Sequence, residues 1–453
     1  MELDSRARWS KVALAVAPAT AIVCTAVSWI RLYLTGSLEL RPSSALSWTS
    51  GIASAALGIL GACCLVVYCN VEKDSIRRVF KCGLLIHVFL LLAIPLQDSD
   101  FFVYLGHGAL VAHGFNPHVV GSVALGDSPL IALSPWKNTP SPYGPVATIF
   151  TAVGGVLGKW THSPIWVNGA TYKLLAGGMD LWSLFIAFAI ARRAASASAA
   201  RGFAAFALNP LLAWAVAAQC HNDGLIILCS LIFLWAEQRD RKVVATVALT
   251  LGTMTKFVLA PLLAVYLVVV SRGSMRRALS LGVLSAALCG ALFWPWWPGI
   301  HTLLSYSQPH GLPADTIHSA ASIHWVIYKV QLRAQLSDHA IWTTYQVWTW
   351  LGWGIVLAMF SALGLRASKT TLAHVFTTMF LTVIATTVWL MNWYFLWPLP
   401  FAIVETDHRW QRLVLGSTLV ATLASGPGHL VLVQPLVQFA VIVALLGRRA
   451  WNI

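Results

Sequence analysis

Residues 44–69 read SALSWTSGIASAALGILGACCLVVYC, a run with no acidic or basic side chain. A bilayer core about 30 Å thick is crossed by a helix of ~20 apolar residues. This stretch is long enough. Further charge-free runs lie at 12–30, 82–96, 202–218, 278–297, 340–365 and 370–391. Shorter apolar pieces follow at 174–191, 224–236, 243–255, 257–270, 394–404, 413–424 and 430–446. Together they predict about 12–14 transmembrane helices. Composition agrees, with 58% hydrophobic and 10% charged residues in 453, where a soluble domain carries roughly 25% charged. There is too little polar surface for a water-soluble enzyme, a disordered chain or a nucleic-acid module. The fold class is an all-α polytopic membrane protein. No repeat or linker divides the chain, so residues 1–453 read as a single domain. The cysteines do not form a framework. Cys24, Cys63, Cys64, Cys69, Cys229 and Cys289 fall inside apolar runs, as small membrane-core residues do.

The net charge of +14 sets the orientation. If the N-terminus is inside and each run crosses once, the basic clusters at 6–11, 73–81, 192–201, 239–242, 272–277, 366–369, 409–412 and 448–449 share one side, in short loops. Positive charge stays cytoplasmic, so both termini are expected there. The first run, behind Arg6, Arg8 and Lys11, reads as a retained anchor. The piece at 146–158 is short, and letting it cross would reverse the charge pattern. It reads as a re-entrant or interfacial helix, tolerated if protein covers its ends. Two long external segments remain: 97–173, the main candidate for a catalytic loop, and 298–339.

Topology then filters the acids. Glu2, Asp4, Glu72, Asp74, Glu237, Asp240, Glu405 and Asp407 fall in cytoplasmic loops and read as ordinary loop charges. Glu39, Asp98, Asp100, Asp127, Asp180, Asp223, Asp315 and Asp338 are external or at membrane depth, where an acid is costly. Asp98 and Asp100 open the large external loop and are the candidate catalytic carboxylates. A carboxylate at that boundary can take a proton from an attacking hydroxyl. The pair could also share a divalent cation such as Mg or Mn, or simply cap a helix. No metal ligand set is assigned. Behind them, 101–108 is aromatic, and the prolines of 136–145 predict a rigid, non-helical lip. Its Trp and Tyr rings suit a sugar face or an interfacial belt. His221-Asn222-Asp223 sits between two apolar runs, as a substrate site or as a plain turn. Asp180 reads as a partner for Lys173 or for another helix. Lys256, between two short runs, needs a buried partner or an anion; a phosphate fits, and snorkelling is the bland alternative. Read as unpaired, Lys256 could be removed without harm to packing.

These residues together resemble the bacterial polyprenol-phosphate-mannose-dependent mannosyltransferases, the α(1→6) and α(1→2) enzymes of cell-envelope assembly. The likeness rests on Ser99-Asp100 with Tyr104 and Gly106, on Gly114 with Asn116-Pro117, and on 139–145. It continues through Leu208-Asn209-Pro210, His221-Asn222-Asp223 and Asn392-Trp393-Tyr394 with Trp397-Pro398. The family usually has Asp-Pro-Tyr where Asn116-Pro117-His118 stands, and more often Arg where Ser99 stands. The resemblance implies a GT-C bundle whose first large external loop carries interfacial helices and the active site, with Asp100 at the catalytic position. It implies an inverting transfer from a polyprenyl-phosphate-sugar donor to a glycolipid or glycan acceptor, in contact with membrane lipids and without nucleic acid. The setting implied is the bacterial cytoplasmic membrane, the active site facing outward. Tyr104, His118, Tyr143, His221, Asn222, Asp223, Trp393 and Tyr394 are then candidates to line substrate. Lys256 and Arg333, then Lys137, are candidates for the phosphate. Two other readings stay open. An O-antigen ligase or polymerase would lean on the late loop, including His324 and Arg333. A lipid-linked sugar flippase would call for internal repeats, and none is visible.

Overall fold

Every element in the computed structural model is helical, and the residues described are 2–35, 47–95, 100–134, 136–300, 322–368, 371–424 and 433–446. Asp98, Glu39 and Asp315 lie outside them. α1 (Glu2–Thr35) and α2 (Ser47–Asn70) form a hairpin, and α1 also packs on α3 (Ile76–Leu91). The expected catalytic loop holds α4 (Asp100–Ala112), the single turn α5 (Leu130–Leu133) and α6 (Pro145–Trp160) before α7 (Trp166–Ala194). α8 (Ala197–Ala207) and the short α9 (Pro210–Leu212) run into a π-helical turn at Ala213–Ala218. Two hairpins follow, α10 (Asp223–Glu237) with α11 (Lys242–Thr253), then α12 (Ala260–Gly273) with α13 (Met275–Phe293). The C-terminal part is α14 (Ile323–Arg333), α15 (Asp338–Arg366), α16 (Leu372–Thr386), α17 (His408–Ala424) and α18 (Val433–Leu446).

Among the described residues, 6 helices are long and apolar enough to cross a membrane: Arg8–Thr35, Thr49–Asn70, Trp166–Ala194, Ala197–Ala218, Met275–Trp296 and His339–Arg366. Most other expected crossings are apolar helices of 10–17 residues. Burial sorts the six. Ala197–Ala218 is the most enclosed, with 94% of its apolar stretch buried, whereas Met275–Trp296 at 22% and His339–Arg366 at 28% turn apolar faces outward. The run at 394–404 is no α-helix. It is built of 3₁₀ turns at Asn392–Leu396 and Phe401–Ile403. At a rise of about 2.0 Å per residue it nevertheless spans the bundle, from Trp393 beside His221 to Glu405 beside His374. Such backbone survives at that depth because protein surrounds it; Phe395, Leu396, Phe401 and Ile403 are all fully buried.

The piece at 146–158 becomes α6, whose 16 residues make a helix of roughly 24 Å. It packs between α4 and α7. Glycines set how closely. A Cβ on Gly108 would collide with the Thr151 carbonyl, and one on Gly155 with the Gly108 carbonyl. A Cβ on Gly154 or Gly158 would strike Asn168 of α7. Small-residue contacts of this kind let helices approach within backbone distance.

Two charge assignments change. Glu237 and Glu405 are not loose loop charges. Glu237 accepts from Lys242 Nζ at 2.8 Å and from the Tyr266 hydroxyl at 2.6 Å. Glu405 is 5% exposed, bonded to the His374 ring at 3.1 Å and to the amides of Thr406 and Asp407. Asp180, expected to pair with Lys173 or with another helix, does the latter, meeting His87 of α3 at 2.6 Å. These contacts bind helix ends and faces together. They also leave two distinct ends of the bundle. Asp100, His221 and Lys256 mark one, and Arg193, Arg201, Lys242 and Arg272 mark the other, bonded to Gln238, His408, Glu237 and Gly364.

Ser141 would be a natural labelling site by sequence, but it is 2% exposed, so Asn138, which is exposed, replaces it. In a Cys69→Ser background, because Cys69 is exposed, Asn138→Cys should react with an impermeant thiol reagent from outside. Asp240→Cys should not. Reversed labelling would overturn the orientation.

Candidate active site

Asp100 is the first residue of α4, where the unpaired amides of a helix start favour a carboxylate. Tyr104 lies one turn on, and i, i+4 side chains meet on one face. Its hydroxyl is 3.5 Å from Asp100 Oδ2 and 3.5 Å from His221 Nδ1. His221 Nδ1 is itself 3.9 Å from Asp100 Oδ2. The imidazole stacks on Trp393 with centroids 3.8 Å apart. Asp100 is 17% exposed and His221 2%, so the carboxylate is the open edge of a closed cluster.

The backbone that delivers His221 is unusual. Two residues past the π-helical turn at Ala213–Ala218, Cys220 stands at φ 61°, a left-handed conformation costly for a side chain with a Cβ. Such turns concentrate at functional sites. Lys173 holds this one, donating to the carbonyls of Ala217 at 3.3 Å and Ala218 at 2.9 Å. The Tyr172 hydroxyl bonds the Cys220 carbonyl at 3.2 Å.

Two residues beyond His221, Asp223 is fully buried and compensated twice. Lys256 Nζ lies 2.8 Å from Oδ2, and Trp397 Nε1 donates to Oδ1 at 2.6 Å. Lys256 is thus not an unpaired cation, and the expectation that its loss leaves packing intact does not hold. Its ammonium sits 5.4 Å from the Tyr143 ring centre, 5.3 Å from Tyr394 and 5.8 Å from Trp397. Ring faces so placed attract a cation. The rigid lip reaches Lys256 through its backbone: Gly144 N donates to Thr255 O and Val146 N to Met254 O, both at 2.9 Å. Any side chain at 144 would collide with the Met254 carbonyl.

Asp100, Tyr104, Tyr143, His221, Asp223, Lys256, Trp393 and Tyr394 are therefore brought together. Asn222 is 2% exposed beside them, and its amide atoms have no hydrogen-bond partner among the described residues. The other candidates lie elsewhere. His118 bonds Thr148 at 3.0 Å, and burial lowers its pKa below the usual histidine value. Lys137 is exposed and anchors Val123 by its carbonyl. His324 packs on Tyr345, and Arg333 is exposed at the end of α14. Trp397, Tyr172 and Lys173 were not among the candidates; only Trp397, three residues after Tyr394, had a signal in the sequence. Tyr143 is held well above the usual tyrosine pKa, chiefly by burial, with the Asp100 charge adding to it. It stays a neutral donor.

Residues 9–272 match the family model described as Alpha-(1->6)-mannopyranosyltransferase, N-terminal domain. Alpha-(1->6)-mannopyranosyltransferase B of Corynebacterium glutamicum is 29% identical over 162 residues, 35% of this chain and 26% of that protein. Alpha-(1->6)-mannopyranosyltransferase A of Mycobacterium tuberculosis is 33% identical over 134 residues, 28% of this chain and 24% of that protein. The matched stretch thus spans about a quarter of each relative's length. No solved structure matches the chain.

Removing one partner of a buried ion pair costs about 3–5 kcal/mol, because the other charge is stranded. Lys256→Ala should lower thermal stability in detergent by that order. Adding Asp223→Asn, which keeps an acceptor for Trp397, should restore most of it. A Lys256→Ala protein that melts like the parent would mean the pair is not formed.

Proposed function

The chain belongs to the Alpha-(1->6)-mannopyranosyltransferase family, and from that premise we propose that it transfers mannose within the bacterial cytoplasmic membrane. The donor is a polyprenyl phosphate mannose and the acceptor a lipid-linked or free glycan, met at the outward-facing end. The fold is read as GT-C. The observation that carries this reading is one carboxylate, Asp100, at the open edge of a cluster whose next neighbours are a compensated cation and aromatic faces.

In the proposed step the acceptor oxygen attacks the anomeric carbon. Its proton passes to Asp100. The bond from that carbon to the phosphate oxygen breaks, its electron pair leaving on a phosphate monoester that needs no protonation. Attack opposite the leaving group inverts the anomeric configuration. Tyr104 and His221 orient the carboxylate. Lys256 has three N–H donors and gives one to Asp223, so the others are free in direction to meet phosphate oxygens. Trp393 and Tyr394 supply apolar faces for the sugar ring. The step as written uses no metal ion, and whether a divalent cation takes part is tested by chelation.

Asp100→Asn keeps size and loses the basic lone pair. Losing a general base typically costs about 10²–10⁴ in rate. With radiolabelled polyprenyl-phosphate-mannose and membrane acceptor, turnover should fall by that factor while donor binding is kept. Asp98→Asn should fall by less. Full activity in Asp100→Asn would sink the mechanism, and loss of parent activity on chelation would add a metal to it.

A further inference from the structure

At the end of the bundle away from Asp100, the α10–α11 and α12–α13 turns lie side by side around a cleft of about 760 Å3. α10 and α11 are each roughly 20 Å long and run between this end and the Asp223–Lys256 pair, so the cleft is separate from the candidate active site. Arg241, Lys242, Arg276 and Arg277 line it. Lys242 is already compensated, by Glu237 at 2.8 Å and Asp240 at 3.2 Å. Arg276 and Arg277 are exposed, and neither has a carboxylate partner among the described residues. The Ser274 hydroxyl accepts from the Arg277 amide at 3.2 Å, fixing the helix start that presents them.

What adjoins the arginines is apolar. Arg276, Leu279, Ser280 and Val283 recur at helical spacing along one face of α13, with Leu279 63% and Val283 69% exposed. Val243, at the start of α11 in the same cleft, is 57% exposed. A soluble anion would use the cations and leave Val243 in the cleft and the adjoining Leu279 and Val283 bare. A ligand with an anionic head and hydrocarbon tails uses both. We infer that the cleft binds the headgroup of an anionic phospholipid from the leaflet at that end, its acyl chain lying along Leu279 and Val283. The two arginines take the phosphate, and Ser280 lies within the same cleft.

The test uses the full chain in neutral detergent, titrated with phosphatidylglycerol and read by native mass spectrometry. Each cation near an anionic headgroup contributes on the order of fivefold. Arg276→Gln with Arg277→Gln should therefore weaken lipid retention about thirtyfold, and the single variants about fivefold each. The singles decide the matter if the pair extracts poorly. Arg77→Gln with Arg78→Gln, an exposed basic pair in the first turn of α3, should leave retention unchanged. Equal loss at both pairs would reduce the effect to general basicity and overturn the site. So would equal retention of phosphatidylcholine. Displacement of the lipid by millimolar inorganic phosphate would overturn the lipid assignment in favour of a soluble anion.

Discussion

Three irregular stretches of backbone, 213–222, 254–256 and 392–404, meet around Asp223, and away from water each must find its hydrogen bonds within the protein. That constraint explains much of the surroundings. Lys173 closes the carbonyls of the first, the Gly144 and Val146 amides bond the second, and Trp397 ties the third to Asp223. The residues that look most reactive by chemistry are partly holding main chain in place. A regular helix would need none of this, but it also could not turn His221, Lys256 and Trp393 toward one point.

The helices were legible because apolar runs bounded by charges are strong signals, and α2, α7, α13 and α15 lie where the runs lie. Asp100 and Tyr104 were singled out together only by the family likeness; that they stand one helical turn apart is seen in α4. The sequence did not reveal which charges would be buried. Glu405 looked like a loop residue, yet it sits against His374 and Ser198 through contacts made only when distant helices close. The same limit applies to Lys137, His324 and Arg333. A cation or imidazole in a long loop says nothing about where the loop runs. Lys256 was correctly read as needing a partner, but the partner was Asp223 of the neighbouring helix.

That pairing shapes what the site offers an anion. Asp223 and Lys256 cancel at 2.8 Å, so no bare charge faces the aromatic walls. Directed N–H groups, ring faces and one partly exposed carboxylate remain. Such a site selects by geometry more than by net attraction, and it does not carry the cost of an uncompensated charge at depth.

Gly108 and Gly155 face each other with no room for a carbon atom between their backbones. A strict demand on this sequence thus falls on two residues with no functional group. Any replacement there, however conservative, pushes α4 off α6 and swings Asp100's helix away from the loop that carries Tyr143. Among related chains, a changed glycine at either position would mark a reshaped candidate site even where every polar side chain had been kept.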